Sequence, residues 1–205
     1  MAGLIEDYAL IGDMQTAALV GLNGCVEWLC LPRFDSPACF AALLGDEHNG
    51  HWLIAPAASQ APAARDGSVS RRYQGDTLVL ETEWTTASGV VRVIDFMPPR
   101  GSEQPVLVRI VRGVRGTVEM ETVLRLRFGY GKIVPWVRKD KATGAVTAVA
   151  GPDSGWAERW ARRSRARAKP NQVFGWSGGD AGSTLQPPDF QKLAGPWTNG
   201  RDPAV

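Results

Sequence analysis

Residues 77–96 read TLVLETEWTTASGVVRVIDF, and their alternation decides the fold. In an extended chain successive side chains point to opposite faces. Leu78, Leu80 and Trp84 therefore share one face, and Glu81, Glu83 and Thr85 share the other. Ser88-Gly89 turns the chain, and residues 90–96 return it. A strand pair with one apolar and one polar face belongs to an antiparallel sheet that is dry on one side.

The same grammar extends in both directions. Residues 106–111 and 118–128 form a second predicted pair around Gly113 and Gly116. In the latter, Met120, Leu124, Leu126 and Phe128 alternate with Glu119, Glu121, Arg125 and Arg127. Upstream, residues 17–20 and 25–31 flank Leu22-Asn23-Gly24, and Asn-Gly is a strong hairpin signal. Residues 51–55 (HWLIA) form a short strand, followed by an Ala/Pro/Ser loop over 56–64. Residues 132–137 and 145–150 supply two further candidate strands. The expected fold class is all-β: an incomplete antiparallel β-sandwich with one short helix near 38–44 and a poorly ordered basic tail.

The short helix is placed by WLCLPRFDSPACFAALL, residues 28–44. An apolar half stops at Pro32, a turn carries Arg33, Asp35 and Ser36, Pro37 closes it, and an Ala/Phe/Leu run follows. Functional groups concentrate on such rigid connections, which makes Arg33 and Asp35 candidate functional residues. The alternative is that the two side chains pair to fix the turn.

Composition divides the chain. Residues 154–205 carry eight basic and four acidic side chains, against fifteen and seventeen in residues 1–153. Arg159, Arg162, Arg163, Arg165, Arg167 and Lys169 crowd into eleven positions, and two-fold alternation is lost. The reading is a sandwich domain over 1–153 and a tail over 154–205. A short basic helix is expected over 158–168 and coil beyond Pro170. The abrupt shift at Ser154 to residues of G- and C-rich codons predicts an out-of-frame or broken reading, testable by translating the downstream DNA in the other two frames. The Arg cluster offers phosphate contacts, but no folded reader or stacking platform surrounds it, so no nucleic-acid partner is expected.

Three cysteines, Cys25, Cys30 and Cys39, lie within fifteen residues, and the start MAGLIEDYALIGD has acids where a secretion signal needs bases. No apolar run approaches a membrane span. The expectation is a cytoplasmic protein with free thiols and no membrane partner. Only His48 and His51 show zinc-ligand spacing, while Cys25 and Cys30 fall on opposite faces of a strand. No metal and no cofactor is expected.

Neither a nucleophile elbow nor a phosphate-cradling loop is present. Glu81 and Glu83 have the spacing of a glycosidase carboxylate pair, yet they alternate with an apolar face and read as a solvated strand surface. Glu6, Asp7 and Asp13 read equally as turn caps. No catalytic residue is assigned. Among the tryptophans, Trp84 aligns with the apolar face and reads as core, and Trp28 is ambiguous. Trp136, after Pro135 in an exposed loop, is the candidate sugar-stacking contact.

Taken together, several motifs carry a family likeness. IEDYALIGDMQTAALVGLNGCVEWLCLPRFDSPACFAALLG (5–45), RRYQGDTLVLETEW (71–84), VRVIDFMPPR (91–100), LVRIVRGVRGTVEMETVLRLRFGYG (107–131) and VPWVR (134–138) span three quarters of the chain. They resemble the opening of bacterial proteins of glycoside hydrolase family 15, the glucoamylase and trehalase-like group. That resemblance implies an N-terminal β-sandwich domain preceding an (α/α)6 barrel. In that family the barrel holds the catalytic glutamates and hydrolyses α-glucosides such as trehalose or maltodextrins with inversion. It implies a chain inactive by itself, with the barrel as partner, exposed sheet edges where later strands are missing, and the 33–37 turn near the active-site rim, with Arg33 and Asp35 as candidate substrate contacts. A free-standing module for α-glucans and a regulatory fragment acting through the basic tail remain alternative readings.

Overall fold

The alternation becomes a two-sheet sandwich in the computed structural model, which describes residues 3–58, 67–100, 104–139, 141, 146–150, 153–158, 166–167 and 172–180. In chain order the strands are β1 (Tyr8–Gly12), β2 (Ala17–Gly21), β3 (Cys25–Cys30), β4 (Ala38–Phe40), β5 (His51–Pro56), β6 (Val69–Tyr73), β7 (Leu80–Thr86) and β8 (Gly89–Phe96). They continue as β9 (Val106–Gly116), β10 (Glu119–Arg125), β11 (Trp136–Lys139), β12 (Val146–Ala150), β13 (Asp153–Glu158), β14 (Ala166–Arg167) and β15 (Gln172–Asp180). One sheet runs β1-β2-β3-β5-β10-β14, with β4 added on β3. The other runs β11-β12-β13-β15-β9-β8-β7-β6. The pairings are antiparallel.

The opening stretch pairs as its pattern requires, with Trp84 opposite Val91 and Leu80 opposite Asp95. Leu80, Trp84, Val91, Val93, Leu107 and Val111 from one sheet meet Ile11, Val20, Val26, Leu29, Trp52 and Ile54 from the other. Each such large apolar side chain adds about 1.5–3 kcal/mol when removed from water. Leu78 departs from the expectation. It precedes β7 in a turn closed by a hydrogen bond from Gln74 N to Val79 O, and it stays exposed.

One buried cluster ties the two sheets together. Arg109 on β9 donates from Nε and Nη2 to the carboxylate of Asp95 on β8, at 2.8 and 3.2 Å. The same guanidinium crosses to the first sheet, donating from Nη1 to Trp52 O at 2.6 Å and from Nη2 to Gly24 O at 2.7 Å. Both charged side chains are buried to within 1%. At the β6 edge, the Tyr73 hydroxyl donates to Leu10 O and accepts from Leu10 N, and Arg71 donates to the carbonyls of Asp7 and Val20.

The predicted hairpin at Asn23-Gly24 forms with a division of labour. Gly24 takes the left-handed conformation (φ 79°), while the Asn23 side chain accepts from Cys25 N. A Cβ on Gly24 would lie 2.4 Å from Ile54 O and 3.0 Å from the Trp84 ring. Gly24→Ala is expected to cost about 1–3 kcal/mol, read as a lower urea midpoint.

Three expectations are corrected. The short helix near 38–44 is instead strand β4 followed by a single 3-10 turn, Ala42–Leu44. Ala38 and Phe40 pair with Cys30 and Leu29, and tertiary pairing outweighs the helix propensity of alanine in so short a run. Glu81 is not on a solvated surface. It is 6% exposed beneath Arg72 and Arg92.

Third, strands replace coil in described parts of the C-terminal stretch. Asp153–Glu158 runs across residue 153, where the composition shifts. Gln172–Asp180, expected as coil, lies between β13 and β9. Of the expected basic helix over 158–168, Glu158 ends β13 and Ala166–Arg167 forms β14. The rest of it, like residues 181–205, lies outside the described residues. Backbone pairing to a neighbouring strand needs no alternating side chains, so pattern alone did not announce these strands.

Candidate functional site

The Arg33 turn is built from two loops locked together from below. Asp13, at the β1–β2 turn, accepts at Oδ1 from Gln15 N (2.9 Å) and Thr16 N (2.8 Å). Its other oxygen lies 3.0 Å from Arg100 Nε, and both side chains are nearly fully buried. Arg100 also donates to the carbonyl of Pro32, and the Thr16 hydroxyl donates to that of Cys30. Phe34 N donates to Gln15 O at 3.0 Å, joining the two turns. Within the second turn, Arg33 N donates to Ser36 Oγ and Ser36 N donates to Arg33 O, both at 3.1 Å.

On this base Arg33 Nε donates to Asp35 Oδ1 at 3.0 Å, with the two side chains 69% and 75% exposed. The predicted pairing is therefore present. An ion pair so exposed contributes at most about 1 kcal/mol, however, and the buried Asp13–Arg100 pair carries the bracing. Met14, Gln15, Arg33, Phe34 and Asp35 line a concavity of about 460 Å³. Met14 adopts φ 70°, in the left-handed region that a side chain enters at a cost. Sequence reasoning singled out Arg33 and Asp35 but missed Met14, Gln15 and Phe34. The usable signal was Asp13 with Thr16 three residues on, a side chain capping the turn it opens.

Trp136 lies elsewhere. It was expected in a loop and instead opens strand β11 at the end of the eight-stranded sheet, 85% exposed. The structure thus does not gather the three candidate contacts into one site. Trp28 is half-buried against Tyr130, ring centroids 6.0 Å apart, and Trp84 is core. Glu81 and Glu83 line a second concavity of about 350 Å³ with Ser70, Arg71, Arg72 and Arg92. Glu81 is 2.8 Å from Arg72 and Glu83 is 2.8 Å from Arg92, so both carboxylates are held in ion pairs.

Cys25, Cys30 and Cys39 are free and buried. Among the described residues no group of three or more His, Cys, Asp or Glu side chains is placed to hold a metal ion. His48 Nδ1 faces Asp46 Oδ1 at 3.1 Å, and His51 Nδ1 lies 3.0 Å from Glu47 O. No helix among the described residues is long and apolar enough to cross a membrane.

Burial, reinforced by the nearby Glu27 charge, pushes the Cys25 thiol from 9.0 up to about 12. Burial and the hydrogen bond that Tyr8 donates to Glu27 raise the Tyr8 hydroxyl from 10.0 to about 12. The folded chain keeps these protons at pH values where the unfolded chain releases them. Stability should therefore hold below about pH 9 and fall as pH rises from 9 to 12. Urea midpoints measured across that range check the slope, which Cys25→Ala and Tyr8→Phe should flatten.

A family model of trehalase-like N-terminal domains matches residues 1–152. A trehalase of Mycolicibacterium smegmatis is 34% identical over 171 residues, covering 73% of this chain and 25% of that protein. A trehalase of Mycobacterium tuberculosis is 33% identical over 165 residues, covering 71% and 23%. One of Thermoplasma volcanium is 30% identical over 141 residues, covering 67% and 22%. No solved structure gives a significant match. The chain spans about a quarter of the length of the curated relatives it matches. With its antiparallel sandwich and a match over three quarters of its residues, the chain belongs to the trehalase-like N-terminal domain family.

Proposed function

We infer that the chain serves as a non-catalytic β-sandwich domain of a larger α-glucoside hydrolase of glycoside hydrolase family 15, working in the cytoplasm. In this reading residues 1–153 form the domain and an (α/α)6 barrel is its partner. Trehalose, which the relatives' names point to, is the first substrate to consider, with maltodextrins second. The observation that carries the reading is the match of residues 1–152 to an N-terminal domain family, in relatives about four times as long as the matched segment. The engagement of Glu81 and Glu83 in ion pairs with Arg72 and Arg92 supports it, because these carboxylates already have partners within the fold. Glucose release from trehalose and maltodextrins by the purified chain tests it. None is expected, and turnover overturns the reading.

The exposure of Trp136 favours one second reading, a glucan-binding module stacking a sugar ring on the indole. A glucan pull-down weakened by Trp136→Ala supports it, and an unchanged pull-down removes it.

A further inference from the structure

The turn between β3 and β4 presents an unspent hydrogen-bonding fork. One bond joins Arg33 Nε to Asp35 Oδ1, which leaves both terminal nitrogens of Arg33 and the second oxygen of Asp35 without a partner among the described residues. The exposed side-chain amide of Gln15, on the facing turn, has none there either. Phe34, 62% exposed, and Met14, 79% exposed, flank these groups as apolar walls.

We propose that the concavity over Met14, Gln15, Arg33, Phe34 and Asp35 is a saccharide subsite that takes one pyranose unit of an α-glucoside. A pyranose offers a rim of adjacent hydroxyls and a face of C–H groups. The open Asp35 oxygen accepts from one hydroxyl and an Arg33 terminal N–H donates to its neighbour, both as charge-assisted bonds. Gln15 can donate and accept, and the Phe34 ring covers the C–H face. At about 460 Å³ the concavity falls within the range of small-molecule sites.

Preorganisation strengthens the case. The Phe34-to-Gln15 backbone bond fixes the spacing of the walls, and Arg33 and Asp35 already lie within hydrogen-bond distance of each other in the free chain. Beneath them the Asp13–Arg100 pair holds both turns. Ordering costs already met in the free protein are not charged to binding. The identity of the sugar rests on the α-glucoside hydrolase reading above; the geometry of the subsite does not. A protein surface seated on Phe34 and Met14 is the competing occupant.

Saturation-transfer NMR on the full chain, with trehalose and maltotriose as separate probes, tests the subsite. Transfer from the native chain is expected, with affinity about tenfold weaker in Asp35→Asn, the loss expected for one charge-assisted hydrogen bond. Phe34→Ala should weaken it comparably, while Val114→Ala, at an exposed site on β9, should leave it unchanged. All three variants should keep the native urea midpoint, because the substituted side chains are exposed. No transfer from either sugar, or equal affinity in Asp35→Asn and Phe34→Ala, overturns the subsite and leaves the concavity to a protein partner. Glucose release by the chain would overturn the non-catalytic reading and leave the subsite standing. Absence of both binding and turnover would sink the subsite alone.

Discussion

Arg109→Ala is expected to destabilise the chain by about 3–5 kcal/mol, a large share of the 5–15 kcal/mol that holds a typical domain folded. The effect follows from what the side chain leaves behind. Asp95 would remain as a buried carboxylate without its cation, and the carbonyls of Trp52 and Gly24 would lose a charged donor. The guanidinium also lies 5.3 Å from the centre of the Trp52 ring, a contact that alanine removes. Because the four bonds reach β8, β5 and the β2–β3 turn, the loss falls on the contact between sheets. Arg109→Lys keeps the charge but not the fork and should fall between the two. A double variant, Arg109→Met with Asp95→Leu, should recover part of the loss by removing the stranded charge, but not all, since the two carbonyls stay unsatisfied. Urea unfolding followed by tryptophan fluorescence reads all four chains.

Asp13→Ala is expected to cost about 3 kcal/mol and to loosen the Arg33 turn. It strands Arg100 as a buried cation and leaves the amides of Gln15 and Thr16 without their acceptor. Hydrogen exchange at those two amides should accelerate in the variant. The contrast with Arg33→Ala is the informative part. That substitution breaks an ion pair of nearly the same length, 3.0 Å, but one exposed to water, and should move stability by no more than about 0.5 kcal/mol. Equal losses from the two variants would mean that the exposed pair, not the buried one, braces the turn.

Much of the fold was legible wherever a strand has one dry face. The β7–β8 hairpin, the Asn23-Gly24 turn, the β5 strand and the core placement of Trp84 follow from two-fold alternation and turn chemistry. The inter-sheet cluster was not legible. In VLVRIVRG the alternation puts Arg109 between Leu107 and Val111 on the inward face, where an arginine contradicts the pattern until its partner is known. Asp95 supplies that partner only once the β8–β9 hairpin sets them opposite each other. Glu81 was misread for a related reason: Arg92 on β8 covers it from within the predicted hairpin, but Arg72 lies on β6, a strand the alternation did not mark.

At the candidate site the turn itself was legible, through Pro32, Asp35, Ser36 and Pro37. Its floor was not, because Arg100 is far along the chain from Asp13 and Pro32. Trp136 was read as exposed, and the candidate strand over 145–150 corresponds to β12, but that Trp136 itself opens the strand paired with it was not legible from a Pro-Trp step. The strands of residues 153–180 escaped notice because composition marks a break in side-chain character, while pairing needs only backbone.

As the non-catalytic domain we propose it to be, this chain should hydrolyse no glucoside. Glucose release from trehalose by the purified 205-residue chain, shown folded by a cooperative urea transition, tests it most directly. Release no greater than that of buffer alone is expected. Steady turnover that is lost across the same urea transition that unfolds the sandwich would overturn that reading.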